Sequence, residues 1–338
     1  AGYAPAMWIL QLLVACAAPA VDDTGLDWSY PLDDVLRFNQ LQAVGTHNSY
    51  HMRTPGIEVE EWDYEHAPLD EQAETQGVRQ FELDVWFDEA SGDFGVYHVP
   101  DIDATSTCAW LSDCAGVLRA WSDANPAHHP LFTLLELKDS FEEETAPGIL
   151  EALDAVIDAS WPNERRISPD DVQASESSLA AGLAANGWPT LGESRGRALF
   201  VLHTDGEYRD VYTDGGTTTV GRALFPDGHG DLSLGVGAVD TLNDPIGDAS
   251  AIAAALAAGH LVRTRADSDG DQARDNDTTL RDAGLVSGAQ FLSTDFPVAA
   301  AETGYVVSMP GGTPSRCNPV TAPPECTPEA IENPDWIR

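Results

Sequence analysis

The sequence predicts an α/β fold: a single-domain (β/α)8 barrel of the TIM type, in regular or distorted form. Across the 338 residues, short apolar segments alternate with longer polar or alanine-rich segments, a pattern typical of parallel strands joined by helices. Polar residues that could take part in catalysis or binding follow several of the apolar segments. Barrels gather their active sites at the carboxyl ends of their strands. An open doubly wound sheet would instead place its ligands mainly at one switch point.

Eight segments are predicted as strands. They are residues 41–45, 80–87, 94–98, 131–137, 198–203, 233–239, 260–265 and 290–293. Between them, residues 149–159, 177–185 and 249–258 have the length and composition of helices. No repeat of about 20–50 residues is evident, which excludes solenoids and propellers.

The two ends of the chain differ from the barrel segment. Residues 1–20 carry no charge, and their apolar run has the length of a signal-peptide core rather than of a membrane span. Leu13-Val14-Ala15-Cys16 resembles a lipobox, so a lipoprotein signal with Cys16 lipidated is the alternative to an ordinary signal peptide. Residues 21–30 are predicted as a linker, 31–305 as the barrel domain and 306–338 as a Pro-rich tail. We therefore expect a secreted protein, or one that is lipid-anchored at the cell surface.

Four of the five cysteines form two close pairs, Cys108 with Cys114 and Cys317 with Cys326. In an exported protein such pairs predict two disulfides, the second of which would staple the tail. The C-x-x-C spacing of zinc ribbons is absent, which makes a structural zinc cluster the weaker interpretation.

The charge of the chain excludes one class of partner. Its 56 acidic and 17 basic residues give a formal net charge of -39, which repels the phosphate backbone, so no nucleic-acid partner is expected. Most of the carboxylates are expected to form a solvated coat suited to high salt, and only a few to bind divalent cations.

Several polar residues point to a metal site. Strand periodicity directs Glu82 and Asp84 to one side of their strand, where buried carboxylates need a cation. Together with the oxygens of Asn48 and Glu136 they form a Ca²⁺-like ligand set. His47 and His51 are four residues apart, which is also compatible with zinc, although Asn48 replaces the glutamate of the usual zinc motif.

Four motifs together resemble the calcium-dependent phosphoinositide-specific phospholipase C family, in its compact microbial branch. They follow one another in the family's order: His47-Asn48, Glu82-Leu83-Asp84, Tyr97-His98 and Leu135-Glu136. The resemblance extends over about residues 35–300 and includes residues 187–202, 263–267 and 287–297.

The resemblance implies a Ca²⁺-dependent enzyme that cleaves phosphatidylinositol-type lipids to diacylglycerol and a cyclic or hydrolysed inositol phosphate. An inositol hydroxyl would be the internal nucleophile. His47 and His98 would act as acid–base catalysts, and Asn48, Glu82, Asp84 and Glu136 would bind Ca²⁺. Basic residues would bind the phosphate: Lys138, Arg263 and Arg265. The partner would be a phospholipid at a membrane surface, bound peripherally by a monomer.

Alternatives remain at this point. A glycerophosphodiester phosphodiesterase shares the barrel and its metal motif, but usually has Arg-Gly after the first histidine where this chain has Asn48-Ser49. A catalytically silent lipid-binding lipoprotein is the alternative from another class.

Asp267, Asp269 and Asp271 resemble the start of an EF-hand loop, but Thr278 occupies the position of its final glutamate, so the run is either a second Ca²⁺ site or a solvated turn. Asp267 and Asp295 are expected to orient arginines or the substrate.

Overall fold

A computed structural model describes Gly2 and residues 28–333, apart from residues 57, 205 and 313. The predicted signal segment, including Cys16, lies outside the described residues. Among the described residues, no helix is long and apolar enough to cross a membrane.

Eight parallel strands form a nearly closed barrel. In their order around the barrel they are β1 (Leu41–Thr46), β2 (Val78–Asp88), β4 (Leu131–Leu137), β5 (Ala198–His203), β6 (Phe225–Pro226), β7 (Val239–Thr241), β8 (Leu261–Arg265) and β9 (Phe291–Thr294). A single parallel bridge between Asp227 and Val239 joins β6 to β7. Two further strands, β3 (Asp93–Val96) and β10 (Ser315–Cys317), pair antiparallel with β2 and β1. The predicted TIM-type barrel is therefore confirmed, with its seam at β6 and β7.

Two of the predicted strands are wrong as barrel strands. Residues 94–96 belong to β3, which forms a hairpin with β2 and does not enter the barrel, and residues 97–98 lie in the loop after it. Residues 233–238 form turns and loop, and the strand begins only at Val239. The eighth barrel strand is instead β6, which was not predicted from the sequence. Its two residues are too few to show an alternating pattern of apolar and polar residues.

In the part of the chain that the structure describes, eleven α-helices connect or flank the strands. They are α1 (Leu69–Thr75), α2 (Leu111–Ala124), α3 (Ala146–Ser160), α4 (Pro169–Gln173), α5 (Leu179–Asn186), α6 (Leu191–Ser194), α7 (Gly206–Tyr212), α8 (Ala249–Ala257), α9 (Asp271–Asp275), α10 (Thr279–Ser287) and α11 (Pro328–Ile331). Short 3-10 helices occupy Phe38–Gln40, Glu60–Trp62 and Asn163–Arg165. The three predicted helices correspond to α3, α5 and α8.

The strands alternate between two apolar surroundings. On β4, Leu135 and Leu137 pack in the layer that includes α2 and α3, whereas Phe132 and Leu134 pack in a second cluster, where Phe132 stacks on Phe291 of β9 at 4.4 Å. Successive strands contribute to this second cluster near their amino ends, so it fills the barrel interior. Two residues further along each strand, the inward position becomes polar, as at Glu136. This alternation carries the polar side chains into the carboxyl end of the barrel, hereafter called the mouth.

The opposite end, hereafter called the base, is closed by the C-terminal segment. β10 pairs with Leu41, Gln42 and Ala43 at the start of β1. Glu332 is fully buried and forms an ion pair with Arg79 at the start of β2, with oxygen to nitrogen distances of 2.8–3.1 Å. The tail therefore packs on the barrel.

Both predicted disulfides are present. Cys317–Cys326 lies in the C-terminal segment, and Cys108–Cys114 ties the loop after β3 to α2. Their Cα–Cα distances are 5.9 and 5.3 Å. The prediction of two short-range pairings is confirmed.

Candidate active site at the barrel mouth

His47 follows β1 directly and is held by a carboxylate from the neighbouring strand. Its Nδ1 lies 2.8 Å from Oδ1 of Asp295, which follows β9. Burial acts to raise the pKa of Asp295, but His47 and Arg265 outweigh it, and the pKa lies below its ordinary value. The ring of His47 is partly exposed and Asp295 is buried, so the imidazole faces the mouth from a fixed orientation.

His98 lies in the loop after β3 and has a carboxylate partner of its own. Its Nδ1 is 3.0 Å from Asp103 Oδ2, and the ring of Trp62 meets it edge-on at 5.4 Å. Burial lowers the pKa of His98, although Asp103 opposes the shift. The charge of His47 also acts on His98, so the two predicted catalytic histidines lie within electrostatic reach of each other.

His51 shares the partner of His98. Its Nε2 lies 3.1 Å from both oxygens of Asp103, and its ring is buried against Tyr64 at 4.5 Å. The zinc interpretation of His47 and His51 gains no support, because the two rings contact different carboxylates. Asp103, which the sequence did not single out, connects His51 to His98.

Three predicted metal ligands lie together on adjacent strands. Glu82 and Asp84 are buried on one side of β2, as the alternation predicts, and Asp84 is the register partner of Glu136 on β4. Lys138 Nζ lies 3.2 Å from Asp84 and 2.8 Å from Glu136. Burial and the charge of Glu136 raise the pKa of Asp84 well above its ordinary value, against the opposing effect of Lys138. A cation is needed to hold these carboxylates ionised side by side.

The two predicted phosphate-binding arginines are also paired with carboxylates. Arg263 is buried, and its Nη2 contacts Glu82 Oε2 and Ser293 Oγ. Burial acts to raise the pKa of Glu82, but Arg263 outweighs it, and the pKa is lowered. Arg265 Nη2 lies 3.1 Å from Asp295 Oδ2, which agrees with the predicted role of Asp295 in orienting an arginine.

Asn48, the fourth predicted ligand, occupies a constrained turn. Its backbone is left-handed, with φ of 42°, which asparagine tolerates better than most residues. The next residue fixes the loop to β2, because Ser49 N–H donates to Glu82 O and Ser49 Oγ accepts from Glu82 N–H, both at 2.8 Å. Asn48 Oδ1 and Asp84 Oδ1 are buried without a hydrogen-bond partner among the described residues.

The lack of partners at these two oxygens bears on whether the predicted ligands fit a calcium ion. Buried polar oxygens without partners are costly and uncommon, and here they belong to residues of the predicted ligand set. All four predicted ligands offer amide or carboxylate oxygens, the donors that Ca²⁺ prefers. The donor set therefore fits this cation.

A further histidine faces the same carboxylates and was missed by sequence reasoning. His203 ends β5, and one ligand atom each from Glu82, Glu136 and His203 lie within 4.8 Å of one another. Its Nδ1 lies 2.8 Å from Asp227 Oδ2. Burial acts to lower the pKa of His203, but Asp227 outweighs it and raises the pKa to about 9. The position of His203 after an apolar segment was the available signal.

The EF-hand-like run does not form a converging loop. Asp267 is buried and accepts hydrogen bonds from Thr294 Oγ1 and the Asp295 backbone rather than contacting an arginine. Asp271 begins α9 and pairs with Arg274. These contacts favour a turn over a second Ca²⁺ site.

Comparison with known families gives one match. The model of the family described as "Phosphoinositide phospholipase C, Ca2+-dependent" matches residues 36–97 and 93–319. No curated protein sequence matches significantly.

Solved structures share the fold. The calcium-dependent phosphoinositol-specific phospholipase C of a Pseudomonas species is 20% identical, with a TM-score of 0.59 over 89% of this chain and 100% of that one. A myo-inositol complex of that protein gives 0.60 with the same identity and coverage. The Ca²⁺-dependent enzyme of Streptomyces antibioticus is 19% identical, with a TM-score of 0.57 over 78% of this chain and 96% of that one. At these identities the likeness establishes the TIM-type fold.

Proposed function

We propose that this chain, which belongs to the family of Ca²⁺-dependent phosphoinositide phospholipases C, cleaves the glycerol-side phosphodiester bond of phosphatidylinositol-type lipids. Family membership makes the chain a phosphodiesterase with Ca²⁺ as its cofactor. The proposal adds the products, which are diacylglycerol and a cyclic or hydrolysed inositol phosphate. The family match favours this function over both alternatives, a glycerophosphodiester phosphodiesterase and a silent lipid-binding lipoprotein.

One observation supports the proposal most directly. Two histidines, each hydrogen-bonded to a buried carboxylate, lie within electrostatic reach of the proposed metal ligands. The charge of His47 acts on Glu82, and the charge of Lys138, which contacts Asp84 and Glu136, acts on His98. Cleavage of a phosphodiester needs proton transfer and charge stabilisation at adjacent positions, and this arrangement offers groups for both.

Asn48, Glu82, Asp84 and Glu136 would hold Ca²⁺. When bound, the ion would lower the pKa of the attacking inositol hydroxyl and offset the negative charge that develops on the phosphoryl oxygens. Lys138, partly exposed between Asp84 and Glu136, is proposed to contact the phosphate. Arg263 and Arg265 remain proposed phosphate ligands, and both are also placed to neutralise Glu82 and Asp295.

The histidine partners set the direction of proton transfer. Asp295 and Asp103 each face an Nδ1, so they favour the tautomers in which His47 and His98 present Nε2 to the mouth. In the proposed reaction the inositol hydroxyl oxygen bonds to phosphorus and the bond to the glycerol oxygen breaks. One ring takes up the hydroxyl proton, and the other protonates the leaving alkoxide.

The substrate is proposed to be an inositol lipid at a membrane surface, bound peripherally by a monomer. The myo-inositol complex of the Pseudomonas protein supports an inositol headgroup. We also propose that the chain is exported, since two disulfides suit an oxidising compartment.

Release of water-soluble inositol phosphate from phosphatidylinositol vesicles tests the function. We expect turnover with Ca²⁺, none in excess chelator, and recovery when Ca²⁺ is restored. Glycerophosphoinositol serves as the competing substrate, because a glycerophosphodiester phosphodiesterase would cleave it in preference to the lipid. Full activity in chelator would overturn the metal assignment, and vesicle binding without product would favour the silent lipid-binding protein.

A further inference from the structure

Two histidines and an aspartate meet at the barrel seam, in a group that the proposed reaction does not use as a whole. His203 ends β5, Asp227 follows β6, and His229 lies two residues further on. One ligand atom from each lies within 4.8 Å of the other two. His229 Nδ1 is 3.8 Å from Asp227 Oδ1, and the two imidazole centroids are 5.4 Å apart.

The carboxylate at the centre of this group is firmly placed. Asp227 is fully buried, and its Oδ1 accepts the backbone N–H groups of His229 and Thr241 at 2.9 Å each. Its Oδ2 faces Nδ1 of His203. Both oxygens are thus oriented before any ligand arrives, one toward each imidazole.

The backbone brings the second imidazole to the carboxylate in an uncommon conformation. His229 has φ of 47°, in the left-handed region, and Gly230 continues with φ of 82°. Non-glycine residues in this region cluster at functional sites because the surrounding structure must hold them there. A single histidine–carboxylate pair would not need His229, whose side chain is about one-third exposed.

We propose that His203, Asp227 and His229 bind a transition-metal ion of the Zn²⁺ class. Two imidazole nitrogens and one carboxylate oxygen are a usual protein ligand set for zinc, with a further position left for water. Ca²⁺ prefers an all-oxygen shell, so the two proposed sites select different cations. They share a boundary, since His203 also lies beside Glu82 and Glu136.

Cobalt and zinc binding to the full, metal-stripped chain provide the test. Co²⁺ is titrated with Ca²⁺ in excess to occupy the oxygen ligands, at a pH high enough for the metal to displace the imidazole protons. We expect one Co²⁺ per chain with a visible d–d absorption band, displaced by Zn²⁺. This measurement does not depend on phosphodiesterase activity, so it can fail or succeed independently of the proposed function.

Variants assign the ligands. His229→Ala is expected to weaken Zn²⁺ binding by at least about tenfold, since even outer-shell changes cost that much at metal sites. Asp231→Asn, which removes an exposed carboxylate from the same loop, should leave binding unchanged. Circular dichroism confirms folding, and His229→Gln replaces the alanine variant if that one misfolds. Absence of Co²⁺ absorption, or equal binding by wild type and His229→Ala, would overturn the proposal, as would an equal loss in Asp231→Asn.

Discussion

The base and the mouth of the barrel both bury charged side chains, but they balance them differently. At the base, Arg79 and Glu332 are fully buried and meet in a two-pronged ion pair, with Arg79 also donating to the Ala73 carbonyl. At the mouth, carboxylates outnumber the cations that face them. Among the described residues, the cations are Lys138, Arg263, Arg265 and, with its raised pKa, His203, and the carboxylates are Glu82, Asp84, Asp103, Glu136, Asp227 and Asp295.

This difference distinguishes the ion pair at the base, which stabilises the fold, from the charged residues at the mouth, which are proposed to bind the metal and the substrate. At the base, the charges of Arg79 and Glu332 neutralise each other, and the ion pair holds the C-terminal segment against the barrel. The mouth keeps Asp84 at a raised pKa and leaves Asn48 Oδ1 without a partner among the described residues. Active sites commonly hold such unfavourable arrangements, which a ligand relieves. Substitutions at the two ends should therefore have opposite consequences for stability and turnover.

The largest expected effect is on turnover at the mouth. His47→Ala and His98→Ala should each lower kcat by about 10²–10⁴-fold, the scale of acid–base catalysis, with a much smaller change in KM. Initial-rate kinetics on phosphatidylinositol vesicles measure both constants. Asp231→Asn is the control, because this exposed carboxylate lies outside the proposed reaction.

His51 would be a poor control for that experiment. It is buried and contacts the same Asp103 that orients His98. Equal losses in the His47, His98 and Asp231 variants would contradict the catalytic assignment, and circular dichroism would then show whether folding had failed.

At the base, Glu332→Gln should destabilise the protein without lowering the turnover of folded molecules. The change leaves the Arg79 charge buried without its counter-ion, which typically costs about 3–5 kcal/mol. Chemical denaturation measures the loss, and Glu329→Gln, an exposed change in the same segment, should cost less than about 0.5 kcal/mol. Loss of activity with unchanged stability would contradict the division between the two ends.

The smallest expected effect is a gain in stability at the mouth. Asp84→Asn should stabilise the metal-free protein, because it removes a buried charge that burial and Glu136 disfavour, while it abolishes Ca²⁺-dependent turnover. The folded pKa of Asp84 is raised, so its contribution to stability is present below the ordinary value of 3.8 and is lost as the pH rises through the folded pKa.

The advantage of Asp84→Asn should therefore be absent in acid and grow as the pH rises. Thermal unfolding of both proteins in chelator, across this pH range, measures the difference. Glu89→Gln, an exposed change next to the same strand, is the matched control. A difference that shrinks with rising pH would contradict the raised pKa.

The sequence predicted most of the barrel because alternation along a strand reflects burial directly. On β2 the apolar Phe81, Leu83 and Val85 pack toward the helices while Glu82 and Asp84 turn inward, as their spacing required. The same logic located β4, β5, β8 and β9 to within a residue or two. It failed at β6, where two residues are too few to show the alternation, and at β3, where a hairpin strand has the same sequence pattern as a barrel strand.

The site was predictable where motifs lie on strands and less so where partners come from loops. Asp103 stands five residues after His98 but is one of 56 acidic residues, so only the folded loop distinguishes it. Arg263 was predicted as a phosphate ligand, whereas its observed partner, Glu82, lies 181 residues away in the sequence. Such pairings depend on barrel topology rather than on local pattern.

The base also determines where the ends of the described chain emerge. Trp28 hydrogen-bonds the Glu329 carbonyl, and Asp33 pairs with Arg195, which donates to the Ile331 carbonyl. Both ends thus meet beside the closed base. A partner joined directly at residue 28 or residue 333 would therefore lie behind the barrel, on the side opposite the mouth.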